Sequence, residues 1–182
     1  MNVTPTALTD VLLVRPDVHA DQRGFFLEVW HADRYAAAGI PGPFVQDNHS
    51  RSSRHALRGL HYQVGRPQGK LVRVAGGTVF DVAVDLRRSS TTFGRWVGTT
   101  LSEENHHQLW IPPGFAHGFY VLSDHADLIY KCTEPYDAAG DRAVRWNDRD
   151  LAIAWPLAGA VPPILSAKDA AAPPLAEAEG YP

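Results

Sequence analysis

Hydrophobic positions along this chain recur mostly with a period of two. Over residues 79–86, Phe80, Val82, Val84 and Leu86 share one face while Val79, Asp81, Ala83 and Asp85 share the other, the geometry of a strand with one packed and one partly polar face. Short runs rich in β-branched and aromatic residues predict further strands at 128–133, 119–122, 11–14 and 71–74, the last closed by Gly76 and Gly77. Helical spacing is scarce: Asp33, Arg34 and Tyr35 followed by three alanines, then Gly39 and Pro41, predict one short helix with a glycine stop. The fourteen prolines and fifteen glycines are spread along the chain, so they cut it into strand-length pieces without marking a linker. Many short strands without alternating helices predict an all-β, antiparallel sandwich or barrel with a few short peripheral helices, and a jelly roll is one solution that limits exposed edges. From residue 158 onward, five prolines and the alanines at 170–172 predict an irregular tail outside the core.

A chain of 182 residues fits one domain, residues 1–182, and a chain of that size buries roughly 70% of its unfolded surface without a disulfide or metal staple. Seventeen Lys and Arg against twenty Asp and Glu give a net charge of −3, which lacks the positive field of a nucleic-acid binder. The single cysteine, Cys132, has no internal disulfide partner, which points to a reducing compartment. Residues 1–9 have neither a basic nor an apolar leader pattern, and no window approaches the roughly 20 apolar residues of a membrane span. A soluble, cytoplasmic protein without a membrane partner is expected.

Polar residues crowd three segments, 23–28, 46–50 and 57–63. A regular strand over 57–63 would send Gly59, His61 and Gln63 to one face and Arg58 to the other. A bulge at Gly59 would bring Arg58 round to the side of His61. Taken singly, His61 and His117 read as hydrogen-bonded structural residues, and Arg23, Arg58 and Lys70 as solvated cations. Tyr130 reads as a half-buried strand tyrosine and Asp169 as a helix-terminus carboxylate. A metal site is disfavoured: position 63 is Gln where a second imidazole would be needed, and adjacent His106 and His107 point to opposite sides of any strand.

Ten segments in order resemble the dTDP-4-dehydrorhamnose 3,5-epimerase family over nearly the whole chain. They include DQRGFFLE at 21–28, QDNHS at 46–50, LRGLHYQ at 57–63, KLVR at 70–73, IPPGFAHGF at 111–119, Tyr130-Lys131, Trp146-Asn147-Asp148 and Ser166-Ala167-Lys168-Asp169. The resemblance implies a cupin-like jelly roll without metal or redox cofactor, and a homodimer in which N-terminal strands pair across the interface. It implies a dTDP-linked 4-keto-6-deoxyglucose as substrate, inverted at C3 and C5 to dTDP-4-dehydro-L-rhamnose. Both carbons flank the C4 ketone, so loss of either proton gives an enolate that a base, an acid and a fixed positive charge can manage.

By position the family pattern makes His61 the general base, Asp169 the carboxylate that orients it, Tyr130 the acid on the opposite ring face, and Lys70 the cation near the C4 oxygen. It assigns Arg23 and Arg58 to the diphosphate, and Glu28, Gln46 and Asn48 to the nucleotide. Phe25 and Phe26 are expected to wall the base. His117 is expected to position substrate, and Lys168 and Asp141 to contact it, although the family commonly carries Glu where Asp141 stands. Because Arg23 and Glu28 lie in the stretch expected to cross between subunits, the nucleotide pocket is expected to be shared. The competing readings are a single-carbon epimerase and a binding cupin that has lost its chemistry.

Overall fold

The computed structural model describes residues 1–159 and 161–182. Its framework is two facing antiparallel sheets and one outlying hairpin. Strands β1 (Asn2–Pro5), β2 (Leu12–Arg15), β5 (Gln46–Ser53), β7 (Lys70–Gly76), β10 (Gln108–Ile111) and β12 (His125–Cys132) form the larger sheet in the order β1-β2-β10-β7-β12-β5. Strands β6 (Leu57–Gln63), β8 (Thr78–Asp85), β9 (Trp96–Ser102), β11 (Phe115–Val121) and β13 (Asp141–Ala143) form the smaller, in the order β13-β6-β11-β8-β9. From β5 onward the chain mostly alternates between the sheets, the winding of a jelly roll. Strands β3 (Val18–Asp21) and β4 (Gly24–Leu27) pair only with each other. Among the described residues no helix is long and apolar enough to cross a membrane.

The expected strands all form, and the edges shift by a few residues. Helix α1 (Ala32–Ala37) begins and ends one residue earlier than its sequence signal, and Gly39 follows in a left-handed conformation at φ +87°. It lays Tyr35 and the following Ile40 on Val14, Leu71 and Trp110 of the larger sheet.

The partly polar face of 79–86 turns inward: Val79 and Ala83 join Val72, Leu109, Phe119 and Leu128 in the core between the sheets, while Val82, Val84 and Leu86 pack on the other side. Asp81 and Asp85 are fully buried because each is paired, Asp81 with His117 and Asp85 with Arg87, Ser90 and Thr92. A buried carboxylate is tolerated when its lone pairs are satisfied. One expectation, that of a tail outside the core, needs correction. The tail is irregular in path, yet it does contribute to the core. Leu175 and Ala178 cover Leu60, Tyr62 and Val84, and backbone bonds from Arg145 N–H to Pro173 C=O and from Arg88 N–H to Tyr181 C=O fasten it. Proline interrupts secondary structure without preventing burial.

Candidate active site

The site starts from an irregularity in β6. Against β11, His61 pairs with His117 and Arg58 pairs with Phe119. Three steps on one strand therefore match two on the other, so β6 carries one extra residue at Gly59-Leu60. His117 and Phe119 share a face, hence Arg58 and His61 do too, as the predicted bulge requires. Gly59 makes this possible: its φ is +132°, and a Cβ there would lie 2.5 Å from Gly118 Cα.

His61 Nε2 lies 2.5 Å from Asp169 Oδ1. Asp169 arrives on helix α2 (Ala167–Ala170), whose N-cap Ser166 accepts a hydrogen bond from the Asp169 backbone N–H. Burial alone would push the Asp169 carboxyl up, but hydrogen bonds from His61, Ser166 and the Gly59 N–H hold it below the usual carboxylate value. An ionised acceptor at Nε2 assigns the proton of the neutral ring to that nitrogen and leaves Nδ1 with a free lone pair. The tail is thus anchored at the strand that bears the imidazole.

The opposite wall comes from the other sheet. Tyr130, Lys70, Cys132, Gln46 and Asn48 line the same pocket of about 160 Å³ as His61. Burial, reinforced by Cys132 and opposed by Arg58, raises the Tyr130 pKa, so the phenol keeps its proton. Burial also lowers the Lys70 pKa, against the pull of Cys132, Asp141 and Asp81. Asn48 donates to Cys132 Sγ at 3.6 Å and accepts from Gln46 at 3.0 Å, which orders that wall. Asp141 and Lys168, paired to each other, complete the mouth. A second cleft adjoins, sharing His61 and Lys168 and adding Arg58 and Asp169. Arg58 Nε donates to Ser52 Oγ there at 2.9 Å.

Other expected residues lie elsewhere. His117 does not line the pocket; it is buried beside His61 and bonded through Nε2 to Asp81 at 2.9 Å. Arg23, Phe25, Phe26 and Glu28 belong to or border the outlying hairpin and do not line the His61 pocket of this chain. Arg23 pairs with Asp21, and Glu28 with Arg34. Phe25 and Phe26 are exposed. Sequence reasoning missed Gln63, Gln68 and Tyr136, which also line the pocket. It also missed Asp81 as the partner of His117. The alternation that sets Asp81 and Ala83 on one face of β8 is a local signal, but the partner of Asp81 lies 36 positions away. Among the described residues no three His, Cys, Asp or Glu side chains gather as metal ligands.

A jelly roll that brings a carboxylate-bound imidazole and a phenol to one pocket has groups able to support acid–base isomerisation, and the comparisons narrow that class to epimerases. A family model described as dTDP-4-dehydrorhamnose 3,5-epimerase matches residues 5–177. The chain belongs to this family. It is 53% identical to the dTDP-4-dehydrorhamnose 3,5-epimerase of Pseudomonas aeruginosa over 183 residues, covering 100% of both chains. It superimposes with a TM-score of 0.94 and 51% identity on the dTDP-6-deoxy-D-glucose-3,5-epimerase of Legionella pneumophila in complex with dTDP-4-keto-L-rhamnose, covering 97% of this chain and 93% of that one. It is also 41% identical to a dTDP-4-dehydrorhamnose 3-epimerase of Streptomyces niveus, covering 98% of this chain and 86% of that relative.

Proposed function

We propose that this chain inverts C3 and C5 of dTDP-4-dehydro-6-deoxy-D-glucose, yielding dTDP-4-dehydro-L-rhamnose. One observation carries the reading: His61 from β6 and Tyr130 from β12 line a single pocket from facing sheets. His61 Nδ1 takes the proton from the carbon next to the ketone, and the C–H electron pair moves into an enolate whose charge rests on the C4 oxygen. Lys70 stabilises that oxygen more in the enolate than in the ketone, which lowers the barrier rather than only tightening binding. Tyr130 returns a proton to the opposite face of the same carbon, so one proton leaves, one enters and the centre is inverted. Asp169 holds the ring in the useful tautomer and stabilises the imidazolium.

The sugar occupies the pocket between the walls, and the diphosphate runs into the adjoining cleft, where the Arg58 guanidinium offers bidentate geometry. Gln46 and Asn48 border the path of the nucleotide. The set on the hairpin, Arg23, Phe25, Phe26 and Glu28, completes the nucleotide site of a second copy in a homodimer with exchanged N-terminal strands. Support for this part is the exposure of Phe26, 71%, together with the fact that none of that set lines the pocket of its own chain. An equimolar mixture of Arg23→Ala and His61→Ala chains should then recover activity that neither has alone, and no recovery after subunit exchange would refute the shared site.

The overall reading is tested by incubating the protein with the 4-keto sugar nucleotide in deuterium oxide and following C3 and C5 by NMR. Deuterium at both carbons with inverted configuration is expected. Label at one carbon only would make this a single-carbon epimerase, the activity named for the Streptomyces niveus relative.

A further inference from the structure

Tyr136 belongs to the pocket without having a part in the proton transfers. It sits on the segment between β12 and β13, lines the pocket, and is 59% exposed. Its phenol donates to Asp141 Oδ2 at 3.1 Å, and the same oxygen accepts from Lys168 Nζ. Asp141 is on β13 and Lys168 on α2, one residue from Asp169. A single carboxylate oxygen therefore ties three separate parts of the mouth together.

The segment that carries Tyr136 is held firmly. Gln63 donates to the Pro135 carbonyl at 3.1 Å and accepts from the Asp137 N–H at 2.8 Å. Gln68 donates to the Glu134 carbonyl at 2.8 Å, and Gln46 accepts from the Tyr136 N–H at 2.7 Å. Gly140 packs so closely that a Cβ would lie 2.3 Å from the Val64 carbonyl oxygen. Three glutamines thus fix the backbone, and the ring can leave the mouth only by rotating its side chain away from Asp141. The same hydrogen bond raises the phenol's pKa, so it stays a donor.

A double epimerase faces a problem that a single epimerase does not. After the first inversion the product is itself a stable molecule, and it must stay bound until the second carbon has met the same base and acid. We propose that Tyr136, tethered by Asp141, is a positioning residue that retains the singly inverted sugar for the second inversion, a role that rests on the epimerase reading above. Retention is a competition between release and the second proton transfer. A tether at the mouth acts on release, because loss of contacts at a site is felt mainly in the dissociation rate.

The test measures, in deuterium oxide, the ratio of doubly to singly labelled sugar released at early times, for wild type, Tyr136→Phe and Tyr136→Ala. Loss of one hydrogen bond to a charged acceptor should lower the ratio about threefold to tenfold in Tyr136→Phe, and loss of the ring should lower it further. Asp141→Asn, which loses the charge of the acceptor, should shift the ratio towards that of Tyr136→Phe, while Asp141→Glu, which keeps a charged acceptor, should retain more of the wild-type ratio. An unchanged or higher ratio in both Tyr136 variants overturns the proposal even if wild type labels both carbons. Label at only one carbon in wild type overturns the epimerase reading itself and removes the role with it.

Discussion

Two histidine–aspartate pairs stand side by side in this barrel and differ in one respect. His61 with Asp169 and His117 with Asp81 both use Nε2, and the two rings are paired across adjacent strands. The side chain of His61 is 32% exposed and that of His117 only 7%, while both carboxylates are buried. The pairing supplies a fixed tautomer in each case. His61 lines the pocket and His117 does not. The two pairs therefore differ in access, and the buried one satisfies a strand whose inward face carries Asp81.

That comparison breaks most visibly when each imidazole is replaced. His61→Gln should reduce deuterium uptake by about 10²–10⁴-fold, the range of a lost general base, and should also lower thermal stability, because it disturbs the bond to buried Asp169. His117→Gln should cost about 1–3 kcal/mol of folding stability, since it disturbs the bonds to the fully buried Asp81, but uptake should fall far less. Melting curves and exchange rates on the same preparations separate the two. If His117→Gln abolished exchange as fully as His61→Gln while keeping the wild-type melting temperature, the division of roles would be wrong.

The two pairs also differ in how far they can be read from residues alone. Alternation at 79–86 is a local signal, so β8 was legible, but whether its Asp81 face meets water or His117 depends on which strand lies opposite. The bulge at Gly59 was legible because glycine in a strand beside two interesting side chains has few other uses. The link from His61 to Asp169 spans 108 positions, and only the family resemblance pointed to it. Tyr136 and the glutamines that hold its segment had no periodicity to announce them. Alternation puts Gln63 on the face of His61, but the backbone groups it holds, at Pro135 and Asp137, lie more than 70 positions away. The hairpin residues 23–28 were legible as a motif, yet none of Arg23, Phe25, Phe26 and Glu28 lines the His61 pocket of the same chain.

The smaller effect sharpens the comparison from the carboxylate side. Asp169→Asn keeps the shape of the pair but offers no charge to the imidazolium, and kcat/KM should fall about 10–100-fold, less than for His61→Gln. The stability effect has a defined sign with pH. The folded pKa of Asp169 is held below the ordinary 3.8, so its contribution to folding is fully present above that value and is lost as the pH falls through the lower folded pKa. Melting temperatures of wild type and Asp169→Asn should therefore differ by a constant amount well above 3.8 and converge as the pH drops below it. The tail should loosen with the pair, since α2 meets β6 through this contact, and proteolysis within residues 161–182 should quicken in Asp169→Asn at neutral pH. A gap that instead widened on acidification would mean that Asp169 is neutral in the folded protein. In that case it could not stabilise the imidazolium, and the two pairs would differ in charge as well as in access.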